Sequence, residues 1–113
     1  ESLLIANDLK LNNIIPIIDY NKSQIRSLHI KNMDAKIKAF GFNCIQVDNN
    51  LLDIYNSIYN KDFKTPTAII LNSIKGQGLK VLEDNMFEWH HKSPNKEQFQ
   101  EFIKTLNNAY ITT

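Results

Sequence analysis

Three short clusters hold the residues whose types could do chemistry. The first, Asp19-Tyr20-Asn21-Lys22, directly follows an apolar run. A side-chain amide and a loop carbonyl there are oxygen donors of the kind that Mg²⁺ or Ca²⁺ takes. The same residues also suit an Asx-type turn, in which Asn21 only bonds nearby backbone. The second cluster is Lys75-Gly76-Gln77-Gly78, where the glycines permit close approach of backbone to an anion and Lys75 supplies charge. It matches neither the GxxxxGK[ST] phosphate loop nor the GxGxxG fingerprint, so a solvated turn is the competing reading. The third, Glu88-Trp89-His90-His91-Lys92, gathers the single Trp and two of the three His. An imidazole here could shuttle a proton or bond a phosphate or hydroxyl oxygen; the alternative is a surface His pair beside a buried Trp. Adjacent histidines without further ligands at suitable spacing do not make a zinc site, and His29, standing alone, is assigned no role.

The elements that must position these clusters are legible as apolar patterns. Leu3, Leu4, Ile5, Leu9 and Leu11 suit a short helix over 2–11, stopped by Asn12 and Asn13. The run Ile14 to Ile18 reads as a strand buried on both faces, as in parallel sheets, although Pro16 cannot donate to a ladder. Residues 19–31 hold no period and read as a loop at the carboxyl end of that strand. Met33, Ile37 and Phe40 have helical spacing, with Gly41 where a C-cap glycine belongs. Cys44 to Val47 is a second strand. Leu51, Ile54, Tyr55 and Ile58 mark a helix capped by Asn49 or Asn50. Thr67 to Leu71 is a third strand after Pro66, and 72–93 is a long loop of the sort that is usually functional or disordered. Phe99, Phe102, Ile103 and Leu106 line a closing helix over 97–106, with Asn95 its cap.

This alternation predicts an α/β fold: one domain, 1–113, with a parallel sheet and helices on both faces in three layers. In such folds the ligand lies off the carboxyl ends of the strands, and the two irregular segments after the first and third strands emerge at that edge, facing one crevice.

At 113 residues, 42% hydrophobic and 22% charged, the chain has the composition of a soluble globular domain. A formal net charge of +1 with interleaved signs offers no basic footprint for nucleic acid. One cysteine, Cys44, excludes an internal disulfide and sits in an apolar run as a small buried side chain. No apolar run approaches the roughly 20 residues of a membrane helix, and no secretory signal opens the chain, so a cytoplasmic location is expected. The chain opens at Glu1 in what reads as the middle of a helix, without Met or cap, as a truncated or processed start would.

Taken in order, the pieces resemble transketolase. The run Asn13-Ile14-Ile15-Pro16-Ile17-Ile18-Asp19-Tyr20-Asn21-Lys22-Ser23-Gln24 is similar to the segment that ends that family's thiamine-diphosphate motif. Ala39-Phe40-Gly41-Phe42, Val47-Asp48, Pro66 through Gly78, Glu83-Asp84-Asn85 and Trp89-His90-His91-Lys92-Ser93-Pro94-Asn95 follow as counterparts. The resemblance covers nearly the whole chain, and its specificity lies in the ordered set.

That resemblance implies the second half of the thiamine-diphosphate-binding domain and a partial version of its fold. It implies that the Asn21 side chain and the Ser23 backbone carbonyl bind Mg²⁺ (or Ca²⁺), which holds the cofactor's diphosphate. His90 would lie by diphosphate and substrate as the proton-transfer group, and Lys75 would belong to the loop covering the same region. The implied reaction moves a two-carbon ketol unit between sugar phosphates, as in the pentose phosphate pathway. The implied partners are a further copy in a homo-oligomer and either a pyrimidine-binding domain or a C-terminal transketolase subunit. The Gly-Asp-Gly that opens the family motif is not among these residues; Arg26-Ser27 stands where Asp-Gly is usual, and Asn49-Asn50-Leu51 where Gly-His-Asp is usual. The expectation is thus a fragment or subunit that is inactive alone, with a degenerate, non-catalytic α/β module that joins subunits as the alternative.

Overall fold

Proline decides where the first strand begins. A computed structural model of the protein describes residues 1–62 and 64–111, and in it β1 runs only over Ile17–Asp19. Pro16 lacks an N–H, but its carbonyl still accepts from Ile69 N at 2.9 Å. Ile14 and Ile15 therefore stay outside the strand expected over 14–18. β1 pairs in parallel with β3, Thr67–Asn72, in the register Ile17↔Ile69, Ile18↔Ile70, Asp19↔Leu71. β2, Asn43–Asp48, pairs in parallel with the other side of β3 from Asn43↔Thr67 to Asp48↔Asn72. The sheet order is β1-β3-β2.

The central strand carries the core. Ala68, Ile69 and Ile70 are essentially inaccessible, and burying each isoleucine contributes about 1.5–3 kcal/mol. Strand alternation sends Ala68 and Ile70 to one face and Ile69 to the other. On the first face they cluster with Ala6, Ile37 and Phe42, and Leu3, Ile18, Tyr20 and Cys44 pack against that cluster. Ala6 belongs to α1, Ser2–Asp8, and Ile37 to α2, Met33–Ala39. Being an edge strand, β1 is not buried on both faces as expected: Ile17 is 49% exposed.

Local chemistry ends the helices. α1 stops at Asp8, before Asn12 and Asn13, because Lys10 turns to φ 53° and Leu11 N reaches back to Ala6 O. After α2, Gly41 takes φ 85° as the spacing predicts, its N–H bonding Lys38 O at 2.9 Å. α3, Leu51–Tyr59, starts at Asn50, whose side-chain oxygen accepts from Asp53 N. Both α2 and α3 pack against β2.

The chain divides into two compact units, Glu1–Ser73 and Ile74–Thr113. The second contains α4, Lys80–Asp84, a 3-10 turn over Glu88–His90, and α5, Lys96–Ile111. α4 and the turn lie inside the stretch expected to be one long loop. α5 begins with a reciprocal cap, as Gln98 N donates to Asn95 Oδ1 at 2.9 Å and Asn95 N to Gln98 Oε1 at 3.0 Å.

Candidate functional site

Because β1 and β3 are parallel and Asp19 is the register partner of Leu71, the segments that follow them leave from the same carboxyl edge of the sheet. Tyr20 N still donates to Leu71 O at 2.9 Å, and its hydroxyl reaches Ile30 O at 2.7 Å. One side chain thus staples the start of the loop to its end. Between those points Ser23–Arg26 forms a 3-10 turn behind Lys22, which sits at φ 60°.

The structure brings Asn21 and Ser23 together. Ser23 N donates to Asn21 Oδ1 at 2.9 Å, and Asn21 Nδ2 donates to Asp19 Oδ2 at 2.8 Å. This is the Asx turn that a lone tetrapeptide would suggest, and it also fixes the amide with its oxygen toward the Ser23 backbone. A carbonyl oxygen has two lone pairs, so Asn21 Oδ1 keeps acceptor capacity for a hard cation. Oxygen donors of this class fit Mg²⁺, but two of them are only part of an octahedral shell. Among the described residues no group of three or more His, Cys, Asp or Glu could hold a metal ion.

The same loop encloses a feature absent from the motif reading. A cavity of about 420 Å³ is lined by Tyr20, Lys22, Ile25, Leu28 and His29, among others. His29, assigned no role from sequence, shares this wall with Lys22. Its signal was not its own position but Tyr20, an amphipathic side chain able to close the loop.

Lys75 and His90 lie in the second unit. Lys75 is half-buried at the head of a double turn, in which Gln77 N bonds Ile74 O and Leu79 N bonds Gly76 O. Gly76 and Gly78 hold φ 82° and 100°. The N–H of Gly78, the kind of donor an anion would use, instead meets Glu83 Oε1 at 2.9 Å. His90 is exposed and packs edge-on against His91, ring centroids 4.5 Å apart. Beside them Trp89 is anchored edge-on to Phe102 of α5 at 5.5 Å, and Lys92 lies over its ring while pairing with Glu88 at 2.6 Å. The exposed imidazoles are thus carried on a fixed aromatic base.

No family model matches the chain. It is 28% identical over 115 residues to an apulose-4-phosphate transketolase subunit from Phocaeicola vulgatus and 31% identical to the same-named protein of Actinobacillus succinogenes. It is 29% identical over 111 residues to human transketolase. These matches take in 94–95% of the chain, but the chain spans only 41% of the length of either bacterial relative and 18% of the human protein. No helix among the described residues is long and apolar enough to cross a membrane. With its parallel α/β sheet and a match running almost end to end, the chain is transketolase-like over nearly its whole length.

Proposed function

We infer that the chain contributes one side of a thiamine-diphosphate and Mg²⁺ site in an enzyme that transfers a two-carbon ketol unit between sugar phosphates. The observation that carries this is the Asp19-Asn21-Ser23 turn, at the sheet edge where α/β proteins bind ligands, with the Asn21 oxygen oriented and still able to accept. The order of residues shared with transketolases supports the same reading.

In this reading Asn21 Oδ1 and the Ser23 carbonyl hold the divalent cation, and the Lys75 ammonium offsets the diphosphate charge. An imidazole nitrogen of His90 takes and returns a proton at a substrate hydroxyl, the general acid–base role for which histidine is used most often. When bound, thiamine diphosphate supplies the electron sink for carbon–carbon bond cleavage; the protein's own residues position, neutralise and move protons. The remaining donors and a pyrimidine-binding surface come from other segments or another chain, in keeping with the word subunit in the names of two relatives. The single half-buried thiol of Cys44 suits a reducing cytoplasm.

Calorimetric titration with thiamine diphosphate and Mg²⁺ tests this. The chain alone should bind weakly or not at all. Assembled with a chain that supplies Gly-Asp-Gly and the pyrimidine-binding domain, it should bind in a Mg²⁺-dependent way that Asn21→Ala weakens at least tenfold. Binding indifferent to Asn21→Ala would sink the assignment.

One observation favours a second reading, a non-catalytic module that joins subunits. Where transketolases read Gly-His-Asp, Asn50 serves as the N-cap of α3, a structural use of the position. An assembly that takes up neither cofactor nor cation would select this reading.

A further inference from the structure

An amide serves a cation only when it is turned the right way. The side chain of Asn21 carries an oxygen with acceptor lone pairs on one arm and an NH₂ group that only donates on the other, and a flip of the amide exchanges them. Only the oxygen suits a hard divalent cation. Two bonds set the orientation: Asn21 Nδ2 donates to Asp19 Oδ2 at 2.8 Å, and Asn21 Oδ1 accepts from Ser23 N at 2.9 Å. The two partners are differently placed. Ser23 belongs to the same turn as Asn21 and opens the 3-10 segment behind it. Asp19 is the last residue of β1, in register with Leu71 of the central strand. The ladder continues past it, since Tyr20 N donates to Leu71 O at 2.9 Å while the Tyr20 hydroxyl is tied to Ile30 O. The carboxylate is therefore carried by the sheet, and the amide by the loop.

We propose that Asp19 is a positioning residue for the divalent-cation site: its carboxylate holds the Asn21 amide in the orientation that leaves Oδ1 for the cation, and it acts through Asn21 rather than as a ligand itself. This rests on the reading of Asn21 as a cation ligand. An ionised carboxylate accepts and never donates, so it matches only the NH₂ arm of the amide. The flipped amide would set Oδ1 against Asp19 Oδ2 and strand the NH₂ group. A hydroxyl or a second amide at position 19 could pair with either arm, which would leave the direction to the Ser23 N–H alone. Groups carried on strands are placed more precisely than groups on loops, so the strand end is the better place for the residue that sets direction. Partners that orient a metal ligand in this way typically cost about 10–100-fold in metal affinity when replaced. Asp19 is exposed, and strand alternation turns it away from the core cluster that Ile18 packs against. Its replacement leaves that cluster intact.

Calorimetric titration with Mg²⁺ in excess thiamine diphosphate tests this without turnover, on the chain assembled with one that supplies Gly-Asp-Gly and the pyrimidine-binding domain. Asp19→Leu, similar in size but with no acceptor, should weaken Mg²⁺ binding at least tenfold. Asp19→Asn, which can still accept from Asn21 Nδ2 but no longer dictates its direction, should fall between that variant and wild type. Thermal unfolding of the same assemblies without Mg²⁺ should be nearly alike, while the rise in midpoint on adding Mg²⁺ shrinks from wild type through Asp19→Asn to Asp19→Leu. Wild-type Mg²⁺ affinity in Asp19→Leu, where Asn21→Ala weakens binding, overturns the positioning role and leaves the reading of Asn21 standing. A lower midpoint without Mg²⁺ together with an unchanged Mg²⁺-induced rise also overturns it, because Asp19 would then only brace the turn. So does binding as weak in Asp19→Asn as in Asp19→Leu, which would trace the effect to charge and not to amide direction. Binding indifferent to Asn21→Ala removes the underlying reading, and the role of Asp19 with it.

Discussion

The N–H of Gly78 donates to Glu83 Oε1 across 2.9 Å, so a carboxylate closes the glycine turn that precedes α4. The pairing is exposed, and Glu83 also lies in the first turn of α4. An acidic side chain at a helix start is favourable, and a hydrogen bond to a charged group contributes about 1.5–3 kcal/mol when well formed; at the surface the lower part of that range applies.

Glu83→Ala should therefore cost about 1.5 kcal/mol and speed amide hydrogen exchange at Gly78 more than at Gly41, a glycine in the other unit. The variant also frees a backbone donor next to Lys75 and removes a negative charge. Inorganic phosphate added to labelled protein should then perturb the Gly78 amide resonance more in the variant than in wild type. Unchanged exchange at Gly78 would show that the turn holds without the carboxylate.

Gly76 admits no side chain. Its φ is 82°, and a Cβ built there would stand 2.5 Å from Leu82 Cβ and 2.9 Å from the Leu82 carbonyl carbon. Backbone strain and the clash with α4 act together, so Gly76→Ala should destabilise by about 2–4 kcal/mol. Gly78, at φ 100° but with the nearest atom 3.4 Å away on Leu106, carries the conformational cost without the clash, so Gly78→Ala should cost about half as much. Denaturant unfolding of the two variants compares them directly.

What could be read in advance follows from how local each determinant is. α3 and α5 are legible because spacing and cap lie within a few residues: Asn50 before Leu51, and Asn95 with Gln98. The Asn21–Ser23 turn is legible for the same reason, since an Asx turn needs only its own residues. β1 is misjudged because Ile14 and Ile15 have as much strand propensity as Ile17; only pairing with β3 and the missing N–H of Pro16 exclude them. α4 escapes because it is five residues long, begins at Leu79 without a side-chain cap, and depends on Glu83 and on the space left by Gly76. Whether Lys75 and His90 act beside Asn21 is likewise a matter of long-range arrangement, which no local spacing encodes.

Lys61 is a buried cation whose burial is structural. It is 7% exposed, and its ammonium donates to Asn12 O at 2.6 Å, with Asp62 O at 3.4 Å. Asn12 in turn donates through Nδ2 to Lys64 O at 3.0 Å. These bonds tie the end of α3 to the turn before β1. Lys61→Met keeps the volume of the stem but strands the Asn12 carbonyl, a loss of about 1–3 kcal/mol. Lys61→Ala, which also removes the packed methylenes, should cost more. Thermal unfolding should rank wild type above Lys61→Met above Lys61→Ala; equal stability of wild type and Lys61→Met would show that the carbonyl is satisfied without the ammonium.

Cys44, packed against the core cluster from β2, should behave as an unreactive thiol. Burial raises its pKa above the ordinary thiol value, and the Asp34 carboxylate adds to the rise while Lys38 opposes it. Asp34 and Lys38 face each other at 3.5 Å across one turn of α2, so their influences are linked. The folded chain holds the thiol proton more tightly than the unfolded chain does. The associated stability is complete below the ordinary thiol pKa and is lost as pH rises through the raised folded value. Alkylation by iodoacetamide needs the thiolate, so its rate at neutral pH should fall well below that of a free cysteine peptide and reach its midpoint at higher pH. Asp34→Asn removes an upward push and leaves Lys38 in place, which should move that midpoint down. A wild-type midpoint at or below that of the free peptide would mean that Cys44 is more open to water than its packing against the core indicates.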